Sequence, residues 1–450
     1  MNYDYAGKYL FEANLRADAS SRFAPENRWG YFPSFSGAWR ISEEGFMDKI
    51  RNVISDMKIR ASWGLLGNQD ALSDYYPWLP VYSVDTSYPF NNELNSGYKL
   101  GGYKLSTITW EKAQTWGIGL DLTIHNNLNL SIDYYNRKTT GIIMDMPVPN
   151  EFALGGYKDN IGAMRNSGVE LSFNYRRNWN DWMFSVSGNF SYNKNEVLNL
   201  GGGVTTMVDP NNSNMRRVVG EPLNSYYMYA TDGFFNSDEE AEAWMNQYAG
   251  KDGYPFGSKK FKGGDLIFKD VNGDGKMTQD DRTLCGSRDP KFTYGLNLYG
   301  EYKGLDLSLM FNGAAGHKML LNDNAIGSFI GDGTHPASVW LDAWSENNKD
   351  GKMPRVAYAT ESPSSFQNVV SDFYLNNASY LRLKNLQIGY SIPLKYLSKV
   401  GLSGLRFYYS IENVFTISNM LIKVDPEINS ETGNDYPLLR TNSFGVNITF

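Results

Sequence analysis

The strongest constraint on the fold is a set of about twelve segments in which apolar and polar residues alternate. Such alternation is typical of a β-strand that has one apolar face. The last segment, 441–450, is the clearest example, and its apolar face carries Phe444, Val446, Ile448 and Phe450. Because neither face of this segment carries a charge, and because it ends on an aromatic carboxyl terminus, it suits a sheet whose outer face meets lipid.

The connections between these segments alternate between short and long. The short ones span 42–57, 125–127, 178–181, 303–304 and 393–404, and the long ones span 17–30, 67–112, 140–163, 195–290, 315–378 and 417–440. A membrane barrel with short periplasmic turns and long extracellular loops has this asymmetry, whereas a soluble sandwich has no reason for it. We therefore predict an all-β fold: an antiparallel up-and-down transmembrane β-barrel in the cell outer membrane. Its polar face would line a lumen, and its aromatic-rich face would contact outer-membrane lipid.

Composition supports this class and excludes others. Aromatic residues make up 15% of the 450 residues, and no run of 18 apolar residues occurs, which excludes a helical membrane span. The net charge is −7 and no basic block is present, so nucleic acid is not an expected partner. A single cysteine, Cys285, excludes an intramolecular disulfide framework.

Two local features are predicted within this framework. A change of phase between Leu383 and Leu386 predicts a β-bulge near Asn385. Between the second and third strands, Ser42 can cap a short helix. The apolar positions of that helix have helical spacing: Phe46, Ile50, Val53, Ile54 and Met57.

One loop segment follows the twelve-position calcium loop. The predicted ligands are the side chains of Asp270, Asn272 and Asp274, the Lys276 carbonyl, the Thr278 hydroxyl and the closing Asp281. An EF-hand closes with the longer Glu, so the match is incomplete. Calcium is accordingly a candidate cofactor, and a hydrated acidic turn is the alternative.

Aromatic residues in the predicted loops could stack on sugars. They are Tyr75, Tyr76 and Trp78 in one loop, Trp244 and Tyr248 on a predicted helix capped by Ser237 and Glu240, and Trp340 and Trp344 after Pro336. The alternative is that these side chains dock their helices on neighbouring loops, as aromatic pairs four residues apart on a helix commonly do.

Catalytic signatures are scarce. The three histidines, His125, His317 and His335, form no metal-binding spacing, and neither a nucleophile elbow nor a phosphate loop occurs. We therefore expect no enzyme. A soluble lectin-like β protein is the main alternative to the membrane barrel, and an outer-membrane hydrolase is a weaker one.

Several stretches resemble the SusC/RagA family of TonB-dependent outer-membrane transporters of Bacteroidetes, and they occur in the order of that family. The resembling stretches lie at 15–23, 28–34, 60–64, 166–171, 270–275 and 379–386. The first reads LRADASSRF, the third RASWG, the fifth DVNGDG and the sixth SYLRLKNL.

The resemblance implies a 22-stranded barrel, of which this chain would supply about the last twelve strands across residues 1–450. It also implies a plug domain, a TonB box and a signal peptide, none of which we find in this sequence. Import of a glycan or a peptide substrate would require a SusD-like surface lipoprotein and the TonB complex, acting through the plug region. The terminal Phe444, Val446, Ile448 and Phe450 are similar to the signal by which outer-membrane barrels are recognised for assembly.

Overall fold

The computed structural model describes residues 1–70, 72, 75–79, 82–100, 105–146, 157–327, 336–428, 431–433 and 435–450. Its first twelve strands, numbered along the chain, are β1 (Asn2–Tyr5), β2 (Tyr9–Ala19), β3 (Trp29–Arg40), β4 (Ile54–Asn68), β5 (Tyr82–Phe90), β6 (Glu93–Leu100), β7 (Glu111–Ile124), β8 (Leu128–Met146), β9 (Tyr157–Trp179), β10 (Trp182–Asn199), β11 (Thr206–Val208) and β12 (Met215–Val218). The others are β13 (Ser225–Tyr229), β14 (Thr231–Phe234), β15 (Leu266–Phe268), β16 (Arg282–Ser287), β17 (Phe292–Tyr302), β18 (Leu305–Ala315), β19 (Lys318–Leu320), β20 (Leu375–Asn377), β21 (Tyr380–Ser391), β22 (Gly404–Ser418) and β23 (Thr441–Thr449). The two α-helices are α1 (Asp238–Tyr248) and α2 (Leu394–Leu397).

Thirteen of these strands form one sheet. Their order is β1-β2-β3-β4-β7-β8-β9-β10-β17-β18-β21-β22-β23. The order in the sheet is therefore the order along the chain, once the short strands of the long connections are left out. The predicted antiparallel up-and-down arrangement and all twelve predicted strands are confirmed. The additional strand is β1, which pairs with β2 between Asn2↔Glu12 and Tyr5↔Tyr9. At four residues, β1 is too short to produce a recognisable period of two.

Aromatic pairs across neighbouring strands occupy the apolar face. Phe35 on β3 lies directly opposite Trp63 on β4 with their rings stacked 6.0 Å apart, and Trp63 in turn lies opposite Trp116 on β7. The ring of Trp116 is 5.4 Å from that of Tyr134 on β8. Directly opposed and diagonal aromatic pairs stabilise antiparallel strands and fix their register.

The predicted β-bulge near Asn385 is confirmed. The register of β21 against β22 shifts between Leu383 and Asn385, and the register of β18 against β21 shifts between Met310 and Phe311. The extra residue explains why the apolar side chains of β21 change face at this point.

The helix predicted over 42–57 is wrong. Two single 3₁₀ turns, Ile41–Glu43 and Gly45–Met47, occupy the start of this segment, and Ile54 and Met57 belong to β4. Ile54 pairs with Ile124 and Met57 with Leu122, so sheet pairing takes the residues that would have formed the last turn. Ile54 and Met57 therefore form strand pairs with β7, although their spacing along the sequence also fits a helix.

The chain divides into two compact units. The first contains 1–175, 191–207 and 218–222, and the second contains 176–190, 208–217 and 223–450. In the first unit, a small core packs Phe23, Phe32 and Trp110 between neighbouring strand ends. In the second unit, the two larger cores lie in the long connections rather than on the main strands. One of them surrounds Met228 and Leu321, and the other surrounds Phe256 and Phe268.

The long connections contain small sheets of their own. These are the four-stranded β11-β12-β13-β16 and the pairs β14-β15, β19-β20 and β5-β6. Among the described residues, no helix is long and apolar enough to span a membrane.

Candidate functional site

The polar face of the first unit carries an ionic network that crosses three strands. Arg60 on β4 donates from Nη2 to Asp133 Oδ2 on β8 at 2.5 Å, and its Nε lies 3.2 Å from Asp121 Oδ2 on the intervening β7. A Cβ on Gly119 of β7 would lie 2.6 Å from Arg60 Cζ and 2.5 Å from Asp133 Oδ1. Glycine at position 119 therefore leaves the space through which the guanidinium passes.

This network borders a cavity of about 930 Å³. Its charged lining residues are Asp4, Glu12, Lys58, Arg60, Asp133, Arg137 and Glu170. Charges of both signs indicate a surface that faces water or a polar partner. The alternation predicted from the sequence places the six of these residues that lie on predicted strands on the polar side, as a barrel lumen requires. Asp4 lies on the additional strand, β1.

The second unit repeats this arrangement. Arg406 on β22 passes over Gly389 on β21 and forms an ion pair with Asp306 on β18. The same Arg406 guanidinium donates to Gln387 Oε1 at 3.3 Å. Polar faces in both units thus carry a fixed arginine rather than a mobile one.

Arg382 on β21 anchors the loop that follows β22. This side chain is 1% exposed. Its Nη2 lies 2.6 Å from Asp425 Oδ1, its Nη1 lies 2.9 Å from Glu427 Oε2, and its Nε donates to Thr416 Oγ1 at 2.9 Å. Since a buried guanidinium is stable only when its charge and donors are satisfied, the loop around 425–427 is held in place by this contact.

The calcium-loop residues form a tight turn held by backbone hydrogen bonds. Asp270 accepts from the amides of Gly273 and Gly275 at 2.7 and 2.9 Å. Asn272 and Asp274 each accept from the amide two residues further along the chain, at 2.9 and 2.7 Å.

The closing residue of that loop is fully buried. Both oxygens of Asp281 accept backbone hydrogen bonds, from Val271 at 3.0 Å and from Thr278 at 2.7 Å. Thr278 also caps the 3₁₀ turn that contains Asp281, and Lys276 is exposed. In the part of the chain that the structure describes, no three acidic, histidine or cysteine side chains are grouped as metal ligands. Calcium binding therefore stays a prediction, as does the place of Asp281 as the closing ligand.

The aromatic residues predicted to stack on sugars lie in three different environments. Trp244 and Tyr248 share the predicted face of α1, whose cap, Ser237, accepts from the Glu240 amide as expected. Their rings are 4.9 Å apart, and the Trp244 indole donates to the Phe268 carbonyl. Tyr248 is 9% exposed. Both side chains belong to the aromatic core of this loop, which is the alternative considered from the sequence.

Trp340 and Trp344 do not lie on one helix. Trp340 lies on a 3₁₀ turn, Ser338–Asp342, and its indole donates to the Ile326 carbonyl at 3.0 Å. Trp344 follows that turn and packs over Gly264, where a Cβ would overlap the indole ring. The predicted helical spacing does not apply, because the turn ends at Asp342.

Tyr75, Tyr76 and Trp78 are the predicted stacking residues that remain most accessible. Tyr75 and Tyr76 are 65% and 57% exposed. Trp78 is half-buried and donates to the Ser21 carbonyl at 2.9 Å, and the Arg22 guanidinium lies 5.0 Å from the Tyr75 ring centre. Their role in substrate binding stays a prediction.

The terminal strand β23 exposes the residues of the predicted assembly signal. Phe444 and Phe450 are 85% and 89% exposed, and Val446 and Ile448 lie on the same face. The strand pairs with β22 from Gly404↔Thr449 to Glu412↔Thr441. An apolar face presented in this way is available to lipid or to assembly factors.

The two histidines that the structure describes lie in different connections. His125 lies in the tight turn after β7 with a positive φ of 49°, and His317 lies beside β19 in the second unit. His335 lies outside the described residues. Burial lowers the pKa of His317, which keeps its imidazole neutral near pH 7.

Sequence reasoning missed the fixed arginines and the glycines that accommodate them. Arg382 lies within the SYLRLKNL stretch, and its position between Leu381 and Leu383 is compatible with an ordinary lumen-facing residue. The sequence signal that could have predicted them is a glycine on the polar face of a strand, such as Gly119 or Gly389. Glycine inside a strand often marks the close approach of another group.

Comparison with known proteins gives one consistent result. Residues 1–314 match the family model described as TonB dependent receptor-like, beta-barrel. TonB-dependent receptor P3 of Formosa agariphila is 31% identical over 471 residues, which cover 100% of this chain and 45% of the relative. TonB-dependent receptor SusC of Bacteroides thetaiotaomicron is 29% identical, with coverage of 100% and 43%.

Solved structures agree with these relatives. The RagAB peptide transporter matches with a TM-score of 0.77 and 26% identity, over 100% of this chain and 47% of that one. The RagAB peptide importer in its 'open-open' state matches with a TM-score of 0.81, 26% identity and coverage of 100% and 46%. The chain spans less than half the length of these relatives.

Proposed function

The chain belongs to the TonB-dependent receptor β-barrel family, and from this premise we propose that it supplies barrel strands and outer loops to a SusC/RagA-type importer. It is an outer-membrane β-barrel protein, like the barrels of its relatives. The observation that carries the proposal is the match of the whole chain to the RagAB barrel, with a TM-score of 0.77 to 0.81 at 26% identity.

The polar strand faces take the role of the lumen wall in this proposal. Arg60 and Arg406 are each held by an aspartate two strands away, so their charges have fixed positions. A fixed pattern of charges along a lumen favours specific contacts with a polar plug or substrate over nonspecific adsorption. The loops, with their own hydrophobic cores, form a structured mouth rather than a set of mobile connections.

The substrate is a glycan or a peptide, and a SusD-like surface lipoprotein assists its capture. A peptide is what the RagAB structures name as the transported compound. Energy for import comes from the TonB complex through a plug region. Both partners follow from the likeness to SusC and RagA, which this chain matches over its full length.

Transport is tested by deleting the gene that encodes the complete protein and measuring uptake in intact cells. We expect the deletion to abolish energy-dependent uptake of either labelled oligopeptides or labelled oligosaccharides, and a protonophore to abolish that uptake in the wild type. Full uptake of both compound classes without the gene would contradict the proposal.

Membrane location provides an independent test against the soluble lectin-like alternative. The protein should be recovered with the outer-membrane fraction and should require detergent for extraction. Recovery in the detergent-free soluble fraction would favour the lectin-like alternative. The named relatives are receptors and transporters, so they give no support to an outer-membrane hydrolase.

A further inference from the structure

A second cavity lies among the loops of the second unit and has a volume of about 680 Å³. This volume falls in the range of sites that bind small ligands, roughly 300–1,000 Å³. Its charged lining residues are Arg288, Lys318, Glu427 and Glu431, and Tyr226 and His317 lie beside them.

Two of these charges converge on one place in the cavity. Burial raises the pKa of Tyr226 to about 12, and among the smaller influences Arg288 lowers that pKa while Glu431 and Asp289 raise it. Arg288 and Glu431 therefore act on the same hydroxyl. Lys318 lies on β19, and Glu427 lies in the loop that follows β22.

The two cations are not neutralised by carboxylates. Within the described part of the chain, neither Arg288 nor Lys318 has a carboxylate oxygen within 4.0 Å of its charged nitrogens. In the same part of the chain, Glu431 has no arginine, lysine or histidine nitrogen within 4.0 Å of its carboxylate. Glu431 accepts only a neutral side-chain hydrogen bond, from Asn212 Nδ2 at 2.7 Å. Opposite charges thus line one cavity without pairing across it.

The acidic wall has a net negative charge and a fixed position. Arg382 neutralises one of the two carboxylates that it contacts, Asp425 and Glu427, so this group retains one negative charge. Glu431 adds a second. Among the lining residues, the two cations balance these two negative charges, since burial keeps the imidazole of His317 neutral. Asp289 does not line the cavity, but its charge acts on both Tyr226 and His317.

The aromatic side chains of the cavity are poorly placed to bind sugar rings. Tyr226 is 2% exposed and Tyr380 is 7% exposed. The Arg382 guanidinium already lies 5.4 Å from the Tyr380 ring centre, and the Tyr380 hydroxyl is bonded to Glu427. No open ring face is left on these two tyrosines for stacking.

We propose that this cavity binds a short zwitterionic peptide, whose carboxylate pairs with Arg288 and Lys318 and whose ammonium pairs with Glu427 and Glu431. Such a ligand gives both groups of charges a counter-charge, whereas a neutral oligosaccharide leaves Arg288, Lys318 and Glu431 without one; Glu427 already pairs with Arg382. The inference rests on the proposed import function and selects the peptide class for this site.

Calorimetric titration of the detergent-solubilised chain tests the proposal with trialanine, with N-acetyl-trialanine amide and with maltotriose. We expect trialanine to bind, and blocking its two termini to weaken binding at least about tenfold, because charge-assisted hydrogen bonds are lost. Maltotriose should neither bind nor compete. The substitutions Lys318→Met and Glu431→Gln should each weaken trialanine binding about tenfold or more.

Lys303→Met provides the matched control, because Lys303 lies in the turn after β17 and pairs with Asp181 outside the cavity. Its trialanine affinity should equal that of the wild type. A variant that misfolds is recognised by rapid reaction of Cys285 with a thiol reagent, and only variants with wild-type thiol reactivity are compared.

Equal binding of free and blocked trialanine would overturn the proposal, as would competition by maltotriose or no trialanine binding at about 10 mM, a concentration that detects even millimolar affinity. These outcomes are distinct from failure of the import function. Normal gene-dependent uptake in cells without trialanine binding would reject this cavity alone, whereas absence of gene-dependent uptake would reject the importer.

Discussion

Arg406 and Asp306 form an ion pair although a complete strand lies between them. Arg406 is on β22 and Asp306 on β18, and the guanidinium Nη2 and Nε lie 2.6 and 2.9 Å from the two carboxylate oxygens. Strands two places apart in a sheet are separated by about 9–10 Å. The contact is possible because Gly389, on the strand between them, has no side chain there. Asp306 is 4% exposed and the Arg406 side chain is 24% exposed, so the carboxylate of this pair is shielded from solvent.

Gly389→Ala is expected to destabilise the sheet. The new Cβ would overlap Arg406 Nη2 and would lie 2.5 Å from Asp306 Oδ2, so the pair must move or break. We expect a loss of about 1–3 kcal/mol, the usual cost of overpacking. Urea unfolding in detergent measures this change.

Gly300→Ala on β17 is the matched control for that substitution, because no atom lies within 4 Å of the position that the alanine methyl group would occupy. It should change stability by less than about 0.5 kcal/mol. Equal effects of the two substitutions would mean that strand propensity, and not the ion pair, determines the result.

Arg382→Gln is expected to release the loop around 425–427. The substitution leaves Asp425 and Glu427 without their shared cation, and breaking one side of a buried ionic contact typically costs about 3–5 kcal/mol. Limited proteolysis should therefore cut this loop faster than in the wild type. Lys384→Gln, an exposed substitution on the same strand, is the control and should leave the cleavage rate unchanged. Equal cleavage of all three proteins would show that the loop is held by other contacts.

The sequence was sufficient to predict the strands because their signal is local. Alternation along β7, β8 and β23 needs no knowledge of the partner strand, and the phase change near Asn385 was visible for the same reason. The helix prediction for 42–57 is wrong because Ile54 and Met57, which have helical spacing, pair instead with the distant strand β7. Which of the two patterns is stabilised depends on a strand more than sixty residues away.

The site was harder to predict because its residues gain their roles from contacts across strands and loops. The ion pair of Arg406 with Asp306 joins residues 100 positions apart. Likewise, Asp281 matches a calcium ligand in sequence, and the structure shows that its oxygens accept hydrogen bonds from backbone amides of the same loop. Residue type and spacing identified the loop, whereas the direction in which each side chain points required the structure.

Cys285 is expected to react slowly with alkylating reagents in the folded protein. Burial raises the pKa of its thiol to about 11. Compared with an unperturbed thiol near pKa 9, the thiolate fraction at pH 7.5 falls about 100-fold. The alkylation rate should rise about tenfold per pH unit until it levels off near pH 11. Because the folded-state pKa is raised, ionisation of this thiol also reduces stability as the pH rises from about 9 towards 11.

The same reaction in urea serves as the control for Cys285, since it is the single cysteine of the chain. Unfolding should restore the rate of an ordinary thiol. Fast alkylation of the folded protein at pH 7.5 would contradict the raised pKa of this half-buried thiol on β16.

Calcium, if bound by the oxygens of Asp270, Asn272, Asp274, Lys276, Thr278 and Asp281, should protect the 195–290 connection from proteolysis. We expect slower cleavage with added calcium and faster cleavage after a chelator. Asp274→Asn should weaken this protection, because it removes a charged ligand. Asp281→Asn should accelerate cleavage with and without calcium, since Asp281 supports the backbone of the loop. Identical cleavage of the wild type under both conditions would exclude a stabilising calcium ion.

Removal of Phe450 is expected to impair assembly in cells more than stability in detergent. Strand β23 ends at Thr449 and keeps its pairing with β22, so the ladder is intact without the last residue. The ring of Phe450 is 89% exposed, which leaves little packing energy to lose and predicts a stability change below about 0.5 kcal/mol. If the aromatic terminus is instead read during membrane insertion, the outer-membrane level of the truncated protein should fall several-fold while its unfolding in urea is unchanged.

Removal of Phe450 also removes a hydrogen bond, because the Ser403 hydroxyl donates to the Phe450 carbonyl at 2.8 Å. Ser403→Ala is the control that removes this hydrogen bond alone. This substitution keeps the aromatic ring, so its outer-membrane level should equal that of the wild type. Phe450→Tyr should also assemble normally, since it retains an aromatic end. A normal level of the protein lacking Phe450 would assign the terminal residue no part in assembly, and equal losses in Ser403→Ala would assign the effect to the hydrogen bond.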